Sequence, residues 1–264
     1  MLYDQIGKNY DSTRRADPYI ASRLSYHLQL MPNKRYLDVA CGSGNYTIAL
    51  ANMGAFMIGI DQSAVMIETA GKKNDKLTWR AGDVKCLPFP SGFFDGAVCT
   101  LAIHHFDDLE AAFMEVYRVI RDGRFVLFTS TRDQMRGYWL NKYFPNAIEA
   151  SIAQMPDMNE VIDILKEVGF RNISTEIYEV SRDSEDWFLY SGKDRPEMYL
   201  NPHMRAGSST FANLADPCEV VNGCLLLEED IQTGQIWNVI KSYSHDKGDY
   251  LFIIANKDDC LPSI

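Results

Sequence analysis

At 264 residues, 46% hydrophobic and 23% charged, the chain is long enough for one well-buried core and has the composition of an ordinary globular protein. Its 26 Lys and Arg against 36 Asp and Glu leave a formal net charge of −10, which argues against nucleic acid as a partner, because phosphate backbones are bound largely through Lys and Arg. The absence of an apolar run of about 18 residues, of a signal-peptide-like core in "MLYDQIGKNYD", of a C-x-x-C pair and of a zinc-spaced His cluster predicts a cytoplasmic protein with no membrane span, no metal and six reduced cysteines.

In chain order, a polar stretch carrying Tyr3, Tyr10, Arg14, Arg15 and Tyr19 runs into a helix predicted over 16–30. The apolar run "RYLDVA" (35–40) reads as a strand, and Gly42 and Gly44 follow it before a helix at 46–53. A strand at 56–61 ends on Asp61, a helix covers 63–72, and a strand at 77–83 ends on Asp83. "FDGAVCTLAI" (94–103) is the fourth strand. In the helix at 108–120, Leu109, Ala112, Phe113, Val116, Val119 and Ile120 recur at helical spacing and form one stripe to lie on a sheet. A strand at 124–131, a helix at 157–168 and strands at 173–180 and 249–257 complete the pattern, with Gly123 and Gly169 where helix C-caps belong. Short apolar runs alternating with helices predict a mostly parallel sheet covered by helices. Residues 181–247 are too long for a structureless loop, and "SEDWFLYSG" and "EEDIQTGQIWNVIKS" look partly helical, so this span reads as an inserted cap.

The junction "YLDVACGSGNYTIAL" poses the functional question. Glycines between a strand and a helix permit a tight turn and let backbone N–H groups approach a ligand with no Cβ in the way. Asp61, 17 residues after Gly44, is placed to accept from both hydroxyls of a ribose. Asp83, at the third strand end, can accept from an adenine amine beside the Val84 backbone. Three neighbouring strand ends would then hold one adenosine.

"LDVACGSGNYT", "IGIDQS", "AGDVKCLPFPSGFFDGAVCTLAIHHF" and "EVYRVIRDGRFVLFTS" together resemble the successive motifs of the class I, Rossmann-like S-adenosylmethionine-dependent methyltransferases, and among them the type 11 group. The resemblance runs from about Leu37 to Thr131. It implies a seven-stranded sheet, mostly parallel with the last strand antiparallel, helices on both faces, and a cap between strands six and seven. It also implies S-adenosylmethionine as cofactor and S-adenosylhomocysteine as product. Asp38, Ala40, Gly42 and Gly44 would shape the loop around the methionine part, Asp61 with Gln62 would meet the ribose, Asp83 and Val84 the adenine, and Leu101 would lie beneath the sulfonium. Ala40 stands where the family usually has glycine, a departure expected to cost little, and "IRDGRF" has one glycine fewer than usual. Family members fold the N-terminal segment over the cofactor, so Tyr10 and Arg14 would meet the methionine carboxylate, Arg14 through a forked contact. The implied organisation is a covering segment at 1–34, a catalytic domain at 35–180 and 248–264, and the cap at 181–247.

Methyl transfer from a sulfonium is a displacement with a good leaving group, so alignment in a water-poor pocket can supply most of the catalysis and a general base is optional. His104 and His105 are the candidate catalytic pair; the plainer alternative is that one packs at a helix entry and the other bonds to backbone. Both ends of 181–247 should lie above the cofactor. Tyr19, Tyr138, Trp139, Trp187 and His203 are the candidates to line a chamber for a small, partly apolar acceptor, through an O, N or C atom. A non-catalytic cofactor-binding regulator, an enzyme using the sulfonium for another reaction and a nicotinamide-dependent oxidoreductase remain as alternatives, although Thr47 occupies the position where a dinucleotide fingerprint needs a small residue. Monomer and homodimer both stay open.

Overall fold

The structure, a computed structural model, describes residues 13–257. Seven strands form one sheet: β1 Arg35–Val39, β2 Phe56–Asp61, β3 Thr78–Ala81, β4 Phe94–Thr100, β5 Ile120–Thr129, β6 Arg171–Tyr178 and β7 Tyr250–Lys257. Their order is β3-β2-β1-β4-β5-β7-β6, with β7 antiparallel to both neighbours and the other pairings parallel. The order reverses between β1 and β4, so their carboxyl ends frame a crevice.

Side chains alternate across the pleat, and the two cores follow that alternation. Leu37, Val39, Ala97, Cys99, Phe125, Leu127 and Ile253 face α4 (Leu109–Val119) and α7 (Met158–Val168). Tyr36, Val98, Val126, Phe128, Phe252 and Ile254 face the opposite side, where α1 (Pro18–Leu28) and α2 (Asn45–Asn52) pack. The helices start where the sequence supplies acceptors for their first N–H groups: Asp17 before Pro18, Ser63 before α3 (Ala64–Lys73), Asp108 before α4 and Asp157 before α7.

Three local departures have physical causes. The fourth strand stops at Thr100 rather than 103, because Leu101 turns to φ 54° and a short turn at Ile103–His105 follows. The fifth strand begins at Ile120, directly after α4, and Gly123 lies inside it, so the expected helix C-cap at Gly123 is corrected. There the pairing jumps from Phe94↔Ile120 to Gly96↔Arg124, and at φ 148° a Cβ on Gly123 would lie 2.1 Å from the Asp95 carbonyl oxygen. Between β5 and α7, where only a connection was read, lie α5 (Arg132–Arg136) and α6 (Pro145–Gln154). Gly169 does cap α7, at φ 124°.

The stretch between β6 and β7 contains α8 (Pro202–Ala206), α9 (Pro217–Thr233), α10 (Ile236–Ser242) and short tight turns. Its Phe188, Tyr190, Tyr199, Met204, Leu227 and Ile236 share one apolar core with Tyr138, Trp139, Phe144 and Ile148. One buried carboxylate holds both ends of the stretch. Asp249 Oδ2 accepts from the Val180 N–H at 2.7 Å and from Lys193 Nζ at 2.5 Å. A strap at 13–17 is stitched to the same stretch, since the Trp187 N–H donates to the Thr13 carbonyl (3.1 Å) and the Glu185 N–H to Asp17 Oδ2 (3.1 Å).

Candidate functional site

A cavity of about 470 Å³ opens at the carboxyl ends of β1, β2, β3 and β4. Its wall includes Arg14, Asp38, Ala40, Gly42, Asp61, Gln62, Asp83, Val84, Leu101 and His105. Gly44 is the one described member of the expected cofactor set that does not line it; Tyr10 lies outside the described residues.

Gly44 acts from behind. At φ 78° it begins α2, and the Trp79 ring from β3 fills the space a side chain would need, 2.3 Å from an ideal Cβ. Gly42 differs: a Cβ there would meet nothing within 4 Å, so its backbone borders open cavity. Ala40 sits at φ 54°, in the left-handed region that costs a non-glycine residue about 1–2 kcal/mol. The expectation of little loss at Ala40 therefore needs correcting. Leu101, at the neighbouring strand end, has the same φ of 54° and donates its N–H to Phe128 O at 2.7 Å. Two strained residues side by side at a ligand edge mark a site whose shape the surroundings impose.

The carboxylates are positioned by short local bonds. Asp61 Oδ2 accepts the Gly42 N–H and Oδ1 the Ser63 N–H, both at 2.8 Å. Burial raises the Asp61 carboxyl above its ordinary range, and the two backbone bonds oppose that rise. Asp38 accepts from Thr47 Oγ1 at 2.6 Å and is pushed up to about 7, by burial first and then by nearby Asp61, with the Thr47 bond pulling the other way. Asp83 Oδ1 accepts the Lys85 N–H at 2.9 Å, opening the turn Val84–Cys86. The cavity wall carries Asp38, Asp61, Asp83, Asp107 and Asp186 against Arg14 and Lys85, and each of those bases is paired with an acid. Among the described residues the charge balance at this wall favours a cation.

Arg14 makes a forked contact, but with the protein. Its Nε donates to Asp186 Oδ1 (2.5 Å) and its Nη2 to Oδ2 (3.1 Å), while Tyr46 Oη donates to the same carboxylate at 3.0 Å. The fork expected for the methionine carboxylate is thus made with Asp186, a residue the sequence did not single out. "SEDWF" offers no periodic signal that would have revealed it.

A second, smaller cavity of about 80 Å³ shares Arg14 and Leu101 with the first. It is lined also by His104, Thr129, Ser130, Met135, Phe188 and Tyr250, and by hydroxyl-bearing residues near 208–210. The two histidines therefore part company: His105 borders the large cavity and His104 the small one, with ring centroids 3.9 Å apart. Burial drives both towards neutrality, His104 down to about 3 with help from His105, and His105 down to about 4. Thr100 lines the large cavity and His104 the small one, and Thr100 Oγ1 and His104 Nδ1 are both buried without a hydrogen-bond partner.

Neither cavity is lined by any of the five residues expected to form a substrate chamber. Tyr138 is fully buried, stacked on Tyr190 and donating to Asp249 O at 2.6 Å; Trp139 is buried with its Nε1 on Lys193 O. Trp187 packs against the main core, Tyr19 projects outward beside Tyr178, and His203 is exposed on α8. Tyr138 and Trp139 join Phe188, Tyr190 and Tyr199 in one core because their large apolar area is worth most when buried.

A methyltransferase-domain family model matches residues 37–128. The crystal structure of a putative methyltransferase from an antibiotic biosynthesis pathway of Anabaena variabilis superposes with a TM-score of 0.83 at 33% identity, covering 92% of this chain and 98% of that one. The demethylmenaquinone methyltransferase of Corynebacterium glutamicum (strain R) is 33% identical over 127 residues, 46% of this chain and 54% of that protein. The chain thus spans about half the length of the curated relatives it first matches. The malonyl-[acyl-carrier protein] O-methyltransferase of Legionella pneumophila is 27% identical over 259 residues, 89% of this chain and 88% of that protein.

Proposed function

The chain belongs to the class I S-adenosylmethionine-dependent methyltransferases, and on that premise we propose that it transfers a methyl group to a small acceptor held in the 80 Å³ chamber. The observation that carries this reading is the common wall: Leu101 and Arg14 border both the large acid-lined cavity and the small one, whose described wall mixes hydroxyls with apolar side chains.

The cofactor, S-adenosylmethionine, supplies an electrophilic methyl group on a cationic sulfur. The residues fit it. Asp61 would accept from the ribose hydroxyls and Asp83, with Val84, would face the adenine. Asp38, fixed by Thr47, would hold the methionine ammonium, and the unpartnered Thr100 Oγ1 is available on the same wall. Gly42 leaves room for close approach of a ligand. A dinucleotide fits poorly: its pyrophosphate would meet Asp38 beside the glycine loop, and Thr47, whose hydroxyl is committed to Asp38, stands where a small residue is needed. The strap at 13–17 and the stretch between β6 and β7, tied to each other, would shield the common wall from water, leaving orientation and desolvation to carry the reaction.

Calorimetric titration should give heat with S-adenosylmethionine and S-adenosylhomocysteine and none with a nicotinamide dinucleotide; silence with the first two ends the reading. Incubation of methyl-labelled donor with a metabolite extract then separates an enzyme from a cofactor-binding regulator, since a regulator would label no acceptor.

A further inference from the structure

We propose that the small chamber takes the reacting end of an oxygen-anion acceptor, a carboxylate on a short apolar stem, held by His104 through an Nδ1–H donor. This rests on the methyltransferase reading and names the acceptor class for the same site.

Charge makes the selection. Among the described residues the chamber wall contains no Asp, Glu, Asn, Gln or Lys; Arg14 is their one ordinarily charged side chain there, and the Asp186 carboxylate that pairs with it lines the other cavity. An ammonium placed here would be desolvated with no counter-charge, which is costly. A carboxylate would meet hydroxyl donors and the positive end of the Arg14–Asp186 pair. Ser151 Oγ and Thr210 Oγ1 stand 2.9 Å apart, so whichever accepts in that pair keeps its own proton to give. His104 adds the sharper observation. A buried nitrogen with no partner costs about 1–3 kcal/mol, and His104 Nδ1 is such an atom on a residue lining the chamber. With the ring proton on Nδ1, a bound carboxylate oxygen would satisfy it. The volume, about 80 Å³, suits a carboxylate and a short stem against Leu101, Met135 and Phe188.

The chemistry balances without a base. A carboxylate oxygen uses its own lone pair to form the O–C bond as the methyl carbon–sulfur bond breaks, with that electron pair staying on sulfur. Anion and sulfonium become a neutral ester and a neutral thioether centre, and no proton moves. An alcohol acceptor would have to lose a proton, and His104, whose burial disfavours the protonated ring, is a weak base for taking it.

The test compares butanoate, butylamine and 1-butanol, which share one stem. Saturation-transfer NMR on the protein without cofactor should detect butanoate binding and at most weak binding of the other two. His104→Leu should weaken butanoate about tenfold or more, whereas His104→Asn, which keeps a donor, should restore most of it. With methyl-labelled S-adenosylmethionine, label on butanoate should be released as methanol by alkali. Preference for butylamine or butanol, no binding of butanoate, unchanged binding in His104→Leu, or an alkali-stable product would each overturn the inference. Should His104→Leu fail to fold, the three-ligand comparison on the unaltered protein decides. Failure of the methyltransferase reading is seen separately, as silence in the cofactor titration.

Discussion

Replacing Asp61 by Ala tests two roles of one carboxylate. In the unliganded protein its oxygens accept backbone N–H groups from Gly42 and Ser63 at 2.8 Å, tying the loop after β1 to the loop after β2. Bonds to a charged group contribute about 1.5–3 kcal/mol each. Because the carboxylate is half-buried and desolvation opposes its charge, the lower figure applies, giving about 3 kcal/mol for the two. For a chain of this size that lowers Tm by about 6–12 °C. Loss of the ribose contact should separately weaken S-adenosylmethionine binding tenfold or more, since a further 1.5 kcal/mol or so is removed. Asp61→Asn separates the effects: its amide oxygen can keep one backbone donor while its NH2 faces the other, so about half of the Tm loss should return while cofactor affinity stays poor. Thermal unfolding without ligand and calorimetric titration read the two quantities. An unchanged Tm in Asp61→Ala would refute the loop-tying role, and an unchanged affinity would take Asp61 out of the site.

Gly44→Ala should destabilise by about 2–4 kcal/mol, combining left-handed backbone strain with overpacking against Trp79. In a double-mutant cycle Trp79→Leu should recover part of that loss, and strict additivity in denaturant melts would contradict the contact. Ala40→Gly should raise stability by about 0.5–1 kcal/mol, relief of strain at φ 54° exceeding the entropy a glycine adds to the unfolded chain; a lower urea midpoint would show the strain argument to be mistaken. Asp38, raised to about 7, binds its proton more tightly in the folded than in the unfolded chain. Its contribution therefore makes the unliganded fold less stable as pH rises from about 4 to 7, while affinity for the cationic cofactor should fall about tenfold per pH unit below 7 and level off above it. Titrations from about pH 5.5 to 8 measure both trends, and Asp38→Asn should flatten them; a cofactor affinity indifferent to pH in the unaltered protein would remove Asp38 from contact with the ammonium.

Local chemistry made the nucleotide side of the protein readable in advance. A strand ending on an acid, a small glycine loop and a helix at Asn45–Asn52 depend on neighbours in the chain, and hydrophobic periodicity placed all seven strands within a few residues. Asp38, Asp61, Asp83 and Leu101 come together at one cavity because parallel strands end at one edge. The bulge at Gly123 was hidden because it exists only through contact with Asp95 on the next strand.

The acceptor side was decided by packing between segments far apart in the chain. Arg14 meets Asp186 across 172 residues, and Asp249 clamps Val180 and Lys193. Tyr138 and Trp139, the natural candidates for a chamber by composition, are buried in the joint core, leaving the wall to His104, serines, threonines and methionines. Thus the sequence by itself determined the sheet, its ligand edge and the acids upon it, since each follows from the order of residues along a strand or turn. Which side chains enclose the small chamber, and that Arg14 is neutralised by the protein itself, depended on how large apolar side chains competed for burial, and only the folded chain resolves that competition.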